Sequence, residues 1–289
     1  RPGLLKKSLY PAVILLCLVV ILPSGCKSRS STPATSTQRP KSEAPQRIVS
    51  LVPSHTEILF SLGLGDKVVG VTRYCNYPPE AAKKPKIGDM NVDMEKIVAL
   101  KPDLVLAHSY LNDNEIKRLK SYNIKTIATD PKTFADVTSD IRTIGNATGC
   151  IDRAEKLAAS MEKTIESFKS QPRTDHQKRV LVVVQVNPLW VAGPETFIDE
   201  MISYLNGKNV AYDAESGFKQ FSLEKAFARD PQLIVVTRKE DKVHFDTSAV
   251  WKKTSAVKNG KVVVIDPDLI FRPGPRLVKG LDQLAEAME

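Results

Sequence analysis

The densest run of groups able to bind or react lies at residues 74–79, Tyr-Cys-Asn-Tyr-Pro-Pro. Tyr74 and Tyr77 present aromatic faces on a loop that two prolines stiffen. Such rings can stack on a flat ligand, the plainer alternative being packing of the loop against the body of the protein. Cys75 offers a thiolate for a metal or, more simply, a small space-filling side chain. Trp190 follows Asn187-Pro188-Leu189 and precedes Ala192-Gly193, so its indole also sits on a loop bounded by Pro and Gly. It could line a ligand site or fill a core. Asp268 and Arg272 stand four apart with Phe271 between them. A carboxylate acceptor beside a planar donor fork suits the polar rim of a ligand; the alternative is a surface ion pair of little consequence. His55 and His108 could give a ring nitrogen to a metal, capping or hydrogen bonding being the more ordinary use. His176 and His244 read as surface residues. No glycine-rich phosphate loop, nucleophile elbow or paired zinc-ligand motif occurs, so these residues point to capture of a small molecule and not to catalysis.

The elements that must position these groups follow from the apolar pattern. Residues 48–52, 67–72, 104–107 and 125–129 are short runs rich in Val, Ile and Leu, separated by segments with helical spacing. Strands alternating with helices predict a parallel sheet covered on both faces. The second half repeats the plan with apolar runs at 180–186, 233–236 and 262–265 and a helix over 195–205, whose start is set by Pro194. Ser54-His55-Thr56-Glu57 has the pattern of a capping box ahead of Ile58, Leu59 and Leu62. Between the halves, Ile151, Ala154, Leu157, Ala158, Met161, Ile165 and Phe168 recur at intervals of three and four, bracketed by Gly149 and Pro172. That spacing predicts one long helix over 150–172, ~30 Å in length.

An internal repeat supports two similar halves. Residues 94–105 (MEKIVALKPDLV) align with 223–234 (LEKAFARDPQLI), with five identities and the same apolar pattern. Each copy reads as a short helix that stops before a proline and feeds a buried strand. Glu95 and Glu224 hold equivalent places in the first helical turn, where an acid also complements the helix dipole. Ligands of open parallel sheets collect beyond the carboxyl ends of the strands. That rule selects Pro53 and Ser54, residues 73–77, 88–91 and 108–110 in the first half, and 187–193, 237–239 and 266–272 in the second.

The net charge of +9 over 289 residues is unevenly placed. Seven of the 42 Lys/Arg and one of the 33 Asp/Glu fall in residues 1–46, leaving 35 bases against 32 acids in the rest. A nucleic-acid surface on the folded part is therefore not supported. Lys6 and Lys7 precede an apolar run over 12–22, too short to span a bilayer that needs ~20 residues but suited to an export signal. The run ends in Leu22-Pro23-Ser24-Gly25-Cys26, which resembles a lipobox and makes Cys26 the expected lipidation site; a proline stands where the leucine usually does. Residues 27–46, rich in Ser, Thr and Pro, read as a flexible tether. Cys75 and Cys150, which have neither metal nor redox spacing, are expected to be unpaired.

The stretch 47–59 (RIVSLVPSHTEIL), the loop 69–78 (VGVTRYCNYP) and the repeat copy at 94–105 together resemble the helical-backbone periplasmic binding proteins of ABC importers for cobalamin, haem and ferric siderophores. The 69–78 loop is similar to that of the cobalamin branch. The resemblance covers residues 47–289. It implies an α/β fold of two similar lobes, 47–149 and 173–289, with parallel sheets flanked by helices and joined by one long rigid α-helix over 150–172. Ligand would lie between the lobes, against Pro53, Ser54, Tyr74, Tyr77, Trp190, Asp268, Phe271 and Arg272, the last group meeting the amides of a corrin rim. Glu95 and Glu224 would dock on a permease dimer coupled to its ATPase. With the export signal and the lipobox-like Cys26, the expectation is a monomeric, lipid-anchored protein in the periplasm or on the outer face of the cytoplasmic membrane. It would carry no metal or catalytic residues of its own and bind a cobalamin-type corrinoid. Haem or a ferric siderophore is the rival within the fold. A siderophore would call on Arg73, Arg238, Lys239 and Arg272, and haem on Tyr74 or His108. A lipid-anchored metal-site enzyme is the rival outside it, and it would need a cysteine cluster that the sequence lacks.

Overall fold

The computed structural model describes residues 44–172 and 176–289. The expected signal segment, Cys26 and most of the expected tether lie outside the described residues. The first lobe contains β1 (Ile48–Ser50), α1 (Pro53–Ser61), β2 (Val68–Val71), α2 (Pro79–Ala82), α3 (Met94–Ala99), β3 (Leu104–His108), α4 (Asp113–Ser121), β4 (Thr126–Thr129) and α5 (Phe134–Thr148). Helix α6 (Ile151–Lys169) follows. The second lobe contains β5 (Lys178–Gln185), β6 (Trp190–Ala192), α7 (Phe197–Tyr204), β7 (Gly207–Asn209), β8 (Phe218–Gln220), α8 (Leu223–Ala228), β9 (Leu233–Val236), α9 (Lys239–Thr247), α10 (Ser255–Lys258), β10 (Val262–Val264), α11 (Pro267–Ile270) and α12 (Leu277–Met288).

The first sheet is parallel, in the order β2-β1-β3-β4. In the second, β7, β5, β9 and β10 make the same parallel arrangement, because β7 and β9 both pair with β5 and β10 pairs with β9. The lobes therefore share one topology. The second lobe adds two antiparallel strands, β6 on β5 and β8 on β6. Strands β1 and β9 are buried along their whole length, which explains their continuous apolar sequences.

The repeat persists down to single hydrogen bonds. Asp93 caps α3 by accepting from the Glu95 and Lys96 amides, and Ser222 caps α8 by accepting from Lys225. Lys101 and Asp230, each before a proline, have φ of 46° and 44°. Arg47 Nε donates to the Leu100 carbonyl (2.8 Å), and Arg179 Nε to the Arg229 carbonyl (2.9 Å). Leu100 and Arg229 are aligned positions.

Two local expectations need correction. Helix α1 starts at Pro53 with Val52 as its cap residue, and no side chain caps it, so Ser54 and Glu57 form no capping box. The rigid proline suits the first helical turn and needs no amide partner there. Helix α7 starts two residues later than expected, at Phe197. Thr196 caps it by accepting from Asp199, and Glu195 sits outside at φ 58°. The polar cap, and not Pro194, sets that start.

Helix α6 packs along α5 before the second lobe begins. A side chain at Gly145 would place Cβ 2.2 Å from that of Ala154, so glycine permits the close approach of the two helices. Arg142 on α5 holds both Glu155 and Glu162 on α6 at 2.7–3.0 Å. The buried face of α6 (Ala154, Ala158, Met161, Ile165) belongs to one apolar cluster that also contains Ile48 and Leu104 of the first lobe and Val180 and Leu233 of the second. The link between lobes is thus a continuous core rather than an exposed strut. Cys75 and Cys150 are buried and unpaired.

Candidate functional site

The carboxyl ends of the first sheet open into a cleft against the second lobe. One cavity, of about 360 Å³, is walled by Leu51, Val52, Pro53 and Ser54 after β1, Thr72 and Tyr74 after β2, Asp89 and Met90, and His108, Leu111 and Asn112 around the end of β3. Phe271, Arg272 and Pro273 close it from the second lobe. An adjoining cavity of about 880 Å³ shares His108, Leu111, Phe271 and Pro273. It continues past Tyr110 and residues 130–133 to Glu195, Thr196, Phe197, Asp199 and Glu200, and then to Ser216, Gly217 and Phe218. Phe271 meets Phe218 edge-on at 5.7 Å, and Phe218 meets Phe197 at 6.1 Å, so an aromatic row stiffens the second-lobe wall.

A charged quartet lies behind the first cavity. Glu57, only 2% exposed, accepts two hydrogen bonds from Arg276, at 2.9 and 2.7 Å, and lies 3.6 Å from Arg272. Arg272 pairs with Asp268 at 2.7 Å and donates to Asn76 Oδ1 at 2.6 Å. Asn76 Nδ2 donates to Asp268 at 3.4 Å, and Asp268 stands 3.9 Å from Arg276. The Arg276 guanidinium also lies 3.9 Å over the Tyr77 ring. Its bonds to Glu57 hold the Arg276 pKa above its ordinary value. Glu57, Asn76 and Tyr77 come from the first lobe, and Asp268, Arg272 and Arg276 from the second.

The two candidate metal-binding histidines are both engaged. His55 is buried and lines neither cavity. Its Nε2 lies 2.8 Å from Thr129 Oγ1, and burial drives its pKa down to about 3, so it stays neutral. His108 accepts at Nδ1 from the Tyr110 and Leu111 amides, each at 3.3 Å, and its Nε2 is 3.1 Å from Asp130. Burial lowers its pKa against the opposing pull of Asp130. Among the described residues no group of three or more metal-ligating side chains converges. Asp140 lines a separate small cavity that shares Asp130 and Pro131 with the larger one; burial pushes its pKa up to about 6, and its Oδ2 has no partner.

The structure thus gathers Pro53, Ser54, Tyr74, Phe271 and Arg272 on the cavity walls. Tyr77 and Asp268 sit one layer out, in contact with Arg276 and Arg272. Trp190 stands apart: it lies in β6, pairs with β8, and lines neither cavity. Glu95 and Glu224 are exposed, on the first turns of α3 and α8. Sequence reasoning missed Glu57, which it read as a cap, and Arg276. The spacing of Arg272 and Arg276, four apart across Pro-Gly-Pro, was an available signal for the second.

Two lobes of one topology, a core-linked connecting helix and a ligand-sized cleft at the strand ends define an extracytoplasmic solute-binding component. Residues 48–269 match the family described as "Periplasmic binding protein", and the chain belongs to that family, a non-catalytic part of transport systems. The chain is 39% identical over 252 residues to YvrC of Bacillus subtilis (strain 168), an uncharacterized ABC transporter substrate-binding lipoprotein, covering 84% of this chain and 80% of that one. It is 27% identical to the vitamin B12-binding protein of Photorhabdus laumondii, covering 85% and 88%. Among solved structures, the periplasmic haem-binding protein RhuT from Roseiflexus sp. RS-1 superposes with a TM-score of 0.74 at 31% identity, covering 84% and 97%. Among the described residues no helix is long and apolar enough to cross a membrane.

Proposed function

We propose that the cleft binds a cobalamin-type corrinoid and that the protein delivers it to an ABC importer. The charge of the cleft carries this reading. The lysine and arginine on the cavity walls are both neutralised: Arg272 by Asp268 and Glu57, and Lys132 by Asp130 at 2.7 Å. Glu195, Asp199 and Glu200 add negative charge to the larger cavity. An anionic ferric siderophore would meet no free cation there. Arg73, Arg238 and Lys239 lie off the walls, and Arg238 is paired with Asp241. A corrinoid rimmed by amides needs donors and acceptors rather than a counter-charge. The 69–78 loop and the vitamin B12-binding relative favour the same ligand. Haem is the second reading, favoured by the Roseiflexus relative and by the exposed Tyr74 phenol on the wall.

In this account Tyr74 and Phe271 stack on or abut the ligand, Arg272 meets its rim while Asp268 and Asn76 hold the guanidinium from one layer out, and Pro53 and Ser54 form the floor. Residues 1–26 act as the export signal, Cys26 carries the lipid and residues 27–46 the tether, an assignment that the lipoprotein relative supports. Glu95 and Glu224, on helices related by the internal repeat, dock on the permease dimer. Charged pairs of this kind govern orientation and encounter more than affinity. Glu95→Lys or Glu224→Lys is expected to leave cyanocobalamin affinity intact and to cut uptake by cells several-fold; loss of binding in either variant removes the docking assignment.

A further inference from the structure

We infer that Glu57 is a specificity-determining residue: buried behind the cleft wall, it cancels the charge of the Arg272–Arg276 pair and so keeps the cleft selective for neutral over carboxylate-bearing ligands. The inference rests on the proposed ligand site, and it concerns a residue that does not itself line either cavity.

The four charges behind the first cavity sum to zero, Glu57 and Asp268 against Arg272 and Arg276. Glu57 is enclosed to 2% exposure, so no counter-ion from solvent can replace it. Arg276 is consumed by its bidentate bond to Glu57 and by the Tyr77 ring. Arg272 alone reaches the wall. With Glu57 present, Arg272 offers hydrogen bonds to a ligand but no net charge. Without it, one positive charge is left over just behind the apolar end of the cleft: Arg276 loses its bidentate partner, while Arg272 on the wall keeps Asp268 at 2.7 Å and loses its second acid. The same carboxylate joins the two lobes, so a bracing role must be told apart from the electrostatic one. A brace affects every ligand alike, whereas a charge separates anions from neutral molecules.

The experiment is calorimetric titration of the full protein with cyanocobalamin, which has no carboxylate, and with haemin, which has two. Wild type is compared with Glu57→Gln, the double variant Glu57→Gln/Arg276→Gln, and Glu155→Gln, which breaks an Arg–Glu pair between α5 and α6 outside the cleft. Glu57→Gln is expected to shift the ratio of the two dissociation constants about tenfold toward haemin. The double variant restores neutrality and should return the ratio to within about twofold of wild type; Glu155→Gln should leave it unmoved. Equal weakening of both ligands in Glu57→Gln, or a ratio that stays shifted in the double variant, overturns the inference. Should Glu57→Gln fail to fold, Asp268→Asn removes a charge from the same quartet and must shift the ratio in the same direction. A wild type that prefers haemin ends the corrinoid reading, while the change between variants still decides the role of Glu57. A wild type that binds neither probe ends both ligand readings and passes the decision to sulfate. At fixed ionic strength, sulfate must raise the Tm of Glu57→Gln, or of Asp268→Asn in its place, more than that of wild type, and a null result there also overturns the inference.

Discussion

The two halves of the cleft are built from different chemistry. The half under Tyr74 is lined largely by Leu51, Val52, Met90, Leu111 and Phe271, and the charge of its Arg272 is cancelled inside the wall by the Glu57 quartet, with Asp89 as the acid on its lining. The half beyond Phe271 is larger, and it carries Asp130, Glu195, Asp199 and Glu200 against a single, already paired Lys132. On the proposed reading, the first half would select by shape, stacking and a neutralised arginine, and the second would disfavour anions through its fixed acids. The contrast also divides stability, since the first half depends on a buried ion pair and the second adjoins the buried Asp140 carboxyl, whose Oδ2 has no partner.

The strongest way to break this contrast is to remove the carboxylate on which the first half depends. Glu57→Ala leaves two largely buried guanidiniums without their shared partner and should lower unfolding free energy by about 2–4 kcal/mol in urea titrations. The same truncation of Glu155, whose pair with Arg142 is exposed to solvent, should cost below about 1 kcal/mol. Equal costs would mean that the quartet is no more than a surface network. Next in size is stacking. Tyr74→Ala should weaken cyanocobalamin binding by about 10–30-fold, whereas Trp190→Ala, off both cavities, should change it by less than about threefold. The reverse order would relocate the ligand toward β6.

The second half is sharpened through pH. The Asp140 carboxyl is pushed up to about 6 by burial, above the 3.8 of a free aspartate. Between these values the folded state holds a proton that the unfolded state has lost, so this group's contribution to stability falls as pH rises and is flat above about 6. His55, lowered to about 3, acts in the opposite sense: its contribution is lost as pH falls from 6.5 toward 3. Asp140→Asn should therefore gain about 1–2 kcal/mol over wild type at pH 7.5 relative to the same comparison at pH 4.5. A pH-independent difference would show that Asp140 is already paired. The smallest effect is expected at Glu195, an exposed carboxylate bonded to Ser216. Glu195→Gln should strengthen haemin binding by about twofold at low salt and not at high salt, because salt screens a surface charge.

Much of the scaffold was legible because it rests on local signals. The parallel strands are written as apolar runs, and the shared topology of the lobes as the two Glu-Lys helices that stop before Pro102 and Pro231. The long helix is written in the spacing from Ile151 to Phe168. The cleft floor at Pro53, Ser54 and Tyr74 followed from the rule that ligands sit at strand ends. What stayed hidden depends on distance along the chain. Glu57 meets Arg276 across 219 residues, and its local setting looks like a helix cap. Strands β6 and β8 are three residues each, too short to show a period, and β6 takes Trp190 out of the loop that was expected to aim it at the ligand. The acidic wall joins residues 130–133 to 195–200, two segments that the fold alone brings together.

The central claim is that this cleft takes a neutral corrinoid. Its most direct test is titration of the purified protein with cyanocobalamin, haemin and a ferric siderophore under identical conditions. Saturable one-to-one binding of cyanocobalamin is expected, with haemin weaker and the anionic siderophore silent. Tight binding of the siderophore or of haemin with no response to cyanocobalamin would contradict it.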